Sequence, residues 1–268
     1  MNDEQASVWQ HDRLTLKTGA DLREALTSGA SVNERRYSRD MSYGGESGLH
    51  VALTNNDLDT MKDLLSYGAD VEAKTFHGHT PFNYARSGEA IDLLREHGAG
   101  INTRNEDGLT ALQFALWDEK RPAIIEALIR NGADVNEPHV YDGNTPLMMS
   151  AERLPSSIAR CLIEHGADVN AKHIHSGKTP LHFAAVMDRP DIVQLLLEHG
   201  ADWSAETCTG RRPIDAADKG GECHQLLKSA QSKQELLKGL GAAWKPGDCK
   251  TDEGAEKQEE RQTRQRKM

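Results

Sequence analysis

Two histidine pairs, His77-x-His79 and His173-x-His175, have the spacing closest to half of a metal site. A structural zinc site takes four donors and a catalytic one takes three protein ligands. Each pair supplies two, on separate loops, so each is incomplete. Cys223-His224, with Cys208 in the preceding segment, has the residue types of a nucleophile and its base. Adjacent residues on a helix point about 100° apart and do not face each other. The chain contains no H-E-x-x-H, no G-x-S-x-G and no Gly-rich phosphate loop behind a predicted strand. Carboxylate pairs exist, but among 42 acidic residues they are expected by chance. The sequence therefore predicts no enzyme, metal, cofactor or small-molecule substrate.

The composition points the same way. Aromatic residues are 5% of the chain while glycine reaches 23 residues, which fits many small cores better than one deep one. The formal net charge of −10 disfavours tracking a phosphate backbone, so nucleic acid is not an expected partner. Cys161, Cys208, Cys223 and Cys249 form no C-x-x-C pair and no disulfide framework, which favours a reducing compartment. Residues 1–12 are polar, and no stretch is long and apolar enough to span a membrane. The expectation is an intracellular protein of the cytoplasm, the nucleus or both.

What positions these residues is a repeat. Gly-Ala-Asp-Val-Asn, or a near copy, begins at Gly29, Gly68, Gly98, Gly132, Gly166 and Gly200, and the last three intervals are 34 residues each. A second string lies in phase with it: Thr80-Pro81-Phe82, Thr110-Ala111-Leu112, Thr145-Pro146-Leu147 and Thr179-Pro180-Leu181-His182. Threonine caps a helix because its hydroxyl accepts from an orphan N–H of the first turn. Proline follows where its missing N–H costs nothing. The pattern predicts a short helix from Thr179 to about Met187. A second, from about Asp191 to Glu198, carries Ile192, Val193, Leu195, Leu196 and Leu197, and Gly200 ends it in the left-handed conformation. One such unit cannot bury its own faces, so neighbours must stack.

The run Thr179-Pro180-Leu181-His182-Phe183-Ala184-Ala185, followed by Leu195-Leu196-Leu197-Glu198-His199-Gly200-Ala201-Asp202, closely resembles the ankyrin repeat. The resemblance covers roughly residues 20–228. It implies an all-α solenoid of stacked helix-turn-helix units with projecting hairpin loops, and a protein that binds other proteins. The expected organisation is an N-terminal capping half-repeat at 1–33 and an array at 34–228, with five clear repeats and a degenerate last one. A capping helix at 229–244 and a polar, disordered tail at 245–268 would follow. Within the capping helix Leu236, Leu237 and Leu240 would pack on the end of the stack. The motif histidine survives as His50 and His182. Asn83, Gln113 and Met148 replace it in the second to fourth repeats, where looser caps are expected.

In the family, partners lie across the loop tips and the concave face of the first helices. The tips correspond here to Phe76, His77, His79, Glu106, Val140, Tyr141, Ile174 and His175. The helix positions correspond to Thr54, Asn55, Trp117, Asp118, Glu152, Arg153, Val186 and Met187. Phe76, Trp117, Tyr141, Ile174, Val186 and Met187 are apolar where solvent favours polar side chains. Together they form either an interaction patch or core folded onto neighbouring repeats. The first loop, between Asn33 and Ser47, is about six residues longer than the family pattern. Its Arg35, Arg36, Tyr37, Arg39 and Tyr43 read either as a mobile surface loop or as a basic, aromatic finger for an acidic partner. The function expected is a scaffold or adaptor for a partner protein. A regulatory subunit or inhibitor of an enzyme is one alternative, and an enzyme, for which no catalytic constellation is found, is the other.

Overall fold

The computed structural model describes residues 44–118 and 122–243, together with 27, 31–33 and 35–37. Most of the expected capping half-repeat at 1–33, the loop residues Arg39 and Tyr43 and the tail 245–268 lie outside the described residues.

Each repeat folds as its caps dictate. Helix pairs follow one another along the chain: α1 (Gly48–Asn55) with α2 (Leu58–Ser66), α3 (Pro81–Tyr84) with α4 (Gly88–Glu96), and α5 (Ala111–Trp117) with α6 (Pro122–Arg130). Next come α7 (Pro146–Arg153) with α8 (Ser156–Glu164), α9 (Pro180–Val186) with α10 (Pro190–Glu198), and α11 (Pro213–Ala216) with α12 (Glu222–Ala243). First helices pack on first helices, and second helices on second helices. A single apolar cluster runs through the stack from Leu49 to Leu227. In α10, Ile192, Val193, Leu195 and Leu196 are buried while Asp191, Gln194 and Glu198 face solvent. That broad stripe suits a helix packed on neighbours along one side.

The cap at the start of each described first helix except α7 is locked from behind. In α9 the Thr179 N–H and hydroxyl both lie near Nδ1 of His182, at 3.1 and 3.0 Å. The opposite nitrogen, Nε2, is 3.0 Å from the Arg211 carbonyl of the next repeat. His50 takes the same role for Ser47 at 3.1 Å. Asn83 and Gln113 do not loosen their caps as the sequence suggests. Their amide oxygens accept the N–H of Thr80 and Thr110 at 2.9 and 3.1 Å. Met148 has no side-chain acceptor to offer Thr145, and the Thr145 hydroxyl alone accepts from the Met148 N–H at 3.4 Å.

A second ladder ties each repeat to the next. Oδ1 of Asn102, Asn136 and Asn170 accepts the N–H of Asp134, Asp168 and Asp202, at 2.9, 2.8 and 2.8 Å. Their Nδ2 groups donate to the carbonyls of Gly132, Gly166 and Gly200. Glu72 stands where these repeats have asparagine. Its carboxylate accepts from the Gly100 N–H and the Thr103 hydroxyl but has no N–H to return.

The ends differ from the middle. Arg35–Tyr37 forms strand β1, paired antiparallel with β2 (Gly44–Ser47) in the register Arg35 to Ser47, Arg36 to Glu46 and Tyr37 to Gly44. The long first loop therefore holds a two-stranded ribbon. At the other end α12 runs unbroken from Glu222 to Ala243, through the junction at 228/229. It buries Cys223 and Leu227 against the stack, but Leu236 is 69% exposed and does not pack there. The sequence expected Leu236 to cover the end of the stack. The helix instead carries it past the last repeat.

Candidate functional site

The loops end in one of two turns, and each tip rests on the loop before it. Thr75, Asn105 and Thr207 accept from the glycine three residues on, Gly78, Gly108 and Gly210. His139 and His173 accept from the glycine four residues on, Gly143 and Gly177, so these two loops are one residue longer. Gly108 and Gly143 have φ of +72°, which a side chain rarely adopts. The space a β-carbon would fill on Gly108 is taken by Val140, and on Gly143 by Ile174. Phe76 lies on Gly44 in the same manner, and its N–H donates to the Gly44 carbonyl at 2.9 Å. Phe76, Val140 and Ile174 are thus exposed on one side and pack on the preceding loop with the other.

The first helices present their free side next to these tips. Trp117, at the end of α5, is 65% exposed, and its ring centroid lies 6.5 Å from that of Phe114. The His79 ring of the preceding loop meets Phe114 at 5.0 Å and Tyr84 at 6.2 Å. This brings His79 and Trp117 into one aromatic group with two residues the sequence reading did not single out. Tyr141 is 69% exposed and meets His139 edge to face at 5.7 Å. Val186 and Met187 are both exposed at the end of α9. Asp118 caps the end of α5, and Glu152 lies 3.5 Å from Arg153. Of the two readings of the apolar residues, burial as core does not hold: all six are solvent-exposed. Arg35, Arg36 and Tyr37 have a described backbone in β1, and their side chains lie outside the described residues.

The histidine pairs remain pairs. His77 and His79 have ring centroids 6.1 Å apart, and His173 and His175 are 5.8 Å apart. His173 accepts from the Ser176 N–H at 3.2 Å and so serves its own turn. Among the described residues, no group of three or more His, Cys, Asp or Glu is placed to hold a metal ion. Cys223 is buried, and its thiol is pushed up to about 12 by desolvation and by its contact with Asp188, the reverse of an activated nucleophile. The Tyr84 hydroxyl is also raised, to about 12, by burial and the charge of Glu46.

Tyr84 and Phe114 were missed because neither departs from an ordinary sequence. The signal lies in register. Relative to the capping residue, Tyr84, Phe114, Met149 and Phe183 share one position, and His79, Lys178 and Arg211 share another.

Paired short helices, glycine-tipped loops and a face of first helices define a solenoid built from one repeated unit. A family model for ankyrin repeats (3 copies) matches residues 49–139 and 118–207, and the chain belongs to the ankyrin-repeat family. It is 32% identical over 143 residues to the mouse B-cell lymphoma 3 protein homolog, covering 52% of this chain and 30% of that one. It is 42% identical over 130 residues to the human mitochondrial disaggregase, covering 46% of this chain and 18% of that one. This chain therefore spans less than a third of the length of either relative. Among solved structures, the ankyrin repeat domain of Bcl-3, described as a member of the IkappaB protein family, superposes with a TM-score of 0.68. That likeness comes at 27% identity and covers 78% of this chain and 91% of the other. The human ASB11 ankyrin repeat domain gives 0.62 at 26% identity, covering 79% and 92%. Ankyrin repeats are a protein–protein interaction fold, and among the described residues no helix is long and apolar enough to cross a membrane.

Proposed function

We propose that this protein is an intracellular scaffold or adaptor that binds a partner protein across its loop tips and first-helix face. The observation that carries this reading is the row of apolar side chains left in water there, led by Trp117 and Tyr141. Large aromatic side chains of this kind dominate binding energy when a partner covers them. Phe76, His77, His79, Asp118, Glu152, Arg153, Ile174, His175, Val186 and Met187 would line the same surface. Arg35, Arg36 and Tyr37 would extend it beyond the first repeat.

The test is co-purification from native cells with the tagged chain and with a Trp117→Ala, Tyr141→Ala variant whose circular dichroism is unchanged. Loss of a specific protein from the variant supports the reading, and retention of every partner rejects it. One variation of this reading has the bound protein regulated by the contact rather than merely held. Adding the purified chain to that partner and assaying the partner's own activity separates the two.

A further inference from the structure

The first-helix face changes sign along the array. In the position just before each capping residue stand Glu46, His79, Leu109, Asn144, Lys178 and Arg211. An acid begins the series, a histidine and two uncharged residues follow, and two cations end it. Lys62, Arg104, His139, Arg153, Arg189 and Arg212 each stand within ion-pair distance of a carboxylate, and among the described residues no such pair is formed by Lys172, Lys178 or Arg211. Asp215 is bound to Arg212, whose backbone N–H it accepts at 2.9 Å, and the charge of Arg211 acts on the same carboxylate without forming an ion pair with it. Lys178 holds its ammonium 5.5 Å from the centroid of Phe183, so charge and apolar surface sit side by side. The buried His182 ring behind them has its pKa lowered, first by burial and further by the charges of Lys178 and Lys172. Towards the first repeat the same face is aromatic, with Phe114 half-buried and Trp117 exposed.

Resting on the reading of this face as the docking surface, we propose that it takes an extended peptide segment with an apolar or aromatic anchor over Phe114 and Trp117 and two or more carboxylates over Lys178 and Arg211. The spacing follows from the stack. Packed helices lie about 8–10 Å apart, so the anchor site is two helices from Phe183 and three from Arg211, roughly 16–30 Å. An extended chain rises about 3.3 Å per residue. Anchor and carboxylates are then separated by about five to nine residues. Along the column of residues before the caps, the cations stand only at this end, against a chain of net charge −10. Their attraction acts within a screening length of about 8 Å at physiological salt.

A displayed library of random 16-residue peptides, selected against the full chain, tests this. Enriched peptides should pair an apolar or aromatic residue with acidic residues five to nine positions away, in either chain direction. Fluorescein-labelled copies should lose at least tenfold affinity, read by anisotropy, for Lys178→Glu, Arg211→Glu. Should that variant fail to fold by circular dichroism, Lys178→Gln, Arg211→Gln replaces it, with a smaller loss expected. Undiminished binding to the charge variants, or selected peptides without the acidic group, overturns the proposal. If binding then still falls with Trp117→Ala, Tyr141→Ala, the docking face stands and only its charge assignment fails. If that variant also binds fully, or the library yields no binder, both readings fail.

Discussion

His182 couples the fold to pH. Its Nδ1 must accept the Thr179 N–H, which a protonated ring cannot do, and burial lowers its pKa from 6.5. The unfolded chain therefore binds this proton more readily. The stabilisation is full above about 6.5 and is lost as pH falls towards the lowered folded value. Urea midpoints should drop between neutral and mildly acidic pH, and His182→Asn should flatten part of that drop. Asparagine fits there because Asn83 already performs the same bond. Met148 is the converse case. Met148→His should give Thr145 its missing acceptor and reach the next loop through Nε2, raising stability by about 1 kcal/mol in urea titration. The capping rule itself was legible in the string Thr-x-x-His. That asparagine and glutamine satisfy it was not, because a motif records residue names while the Thr N–H needs only an acceptor at the right distance.

The elements were legible where periodicity and caps agree, as in α9 and α10, and less so where the repeat decays. The degenerate last repeat and the capping helix at 229–244 read as separate units because no sequence signal says that α12 continues from one into the other. Nor does the sequence say that the stack ends before Leu236. The two halves of α12 should respond differently to substitution. Leu227→Ala opens a cavity in the last interface and should cost about 2–5 kcal/mol. Leu236→Ser should change stability by no more than about 0.5 kcal/mol, since it removes an exposed side chain. Denaturant midpoints of the two variants, measured side by side, check this. The docking face was only partly legible for a related reason. Trp117 and Tyr141 draw notice singly, whereas Phe114, Lys178 and Arg211 acquire meaning only as columns across neighbouring repeats.

Each repeat in the assembled molecule touches only those beside it, so damage should stay local. Leu162, fully buried in α8, supports the fourth repeat. Leu162→Ala should lower hydrogen-exchange protection in α7 to α10 while leaving α1 and α2 nearly unchanged, as expected of a nearest-neighbour array. A uniform loss across the chain would show that the stack unfolds as one unit. The tip contacts carry this locality into the chain's history. Val140 sits on Gly108 and Ile174 on Gly143, at the same place in loops of the same length, 34 residues apart. Excising residues 140–173 would set Ile174 on Gly108 and restore a contact of the same kind. Asn136 would then meet Asp202 as it now meets Asp168, since the rungs at Asn102, Asn136 and Asn170 have the same partners. Genetic duplication or loss of one such unit can lengthen or shorten the molecule without creating an unfamiliar junction, so the number of rungs is free to drift while the rung itself is held fixed.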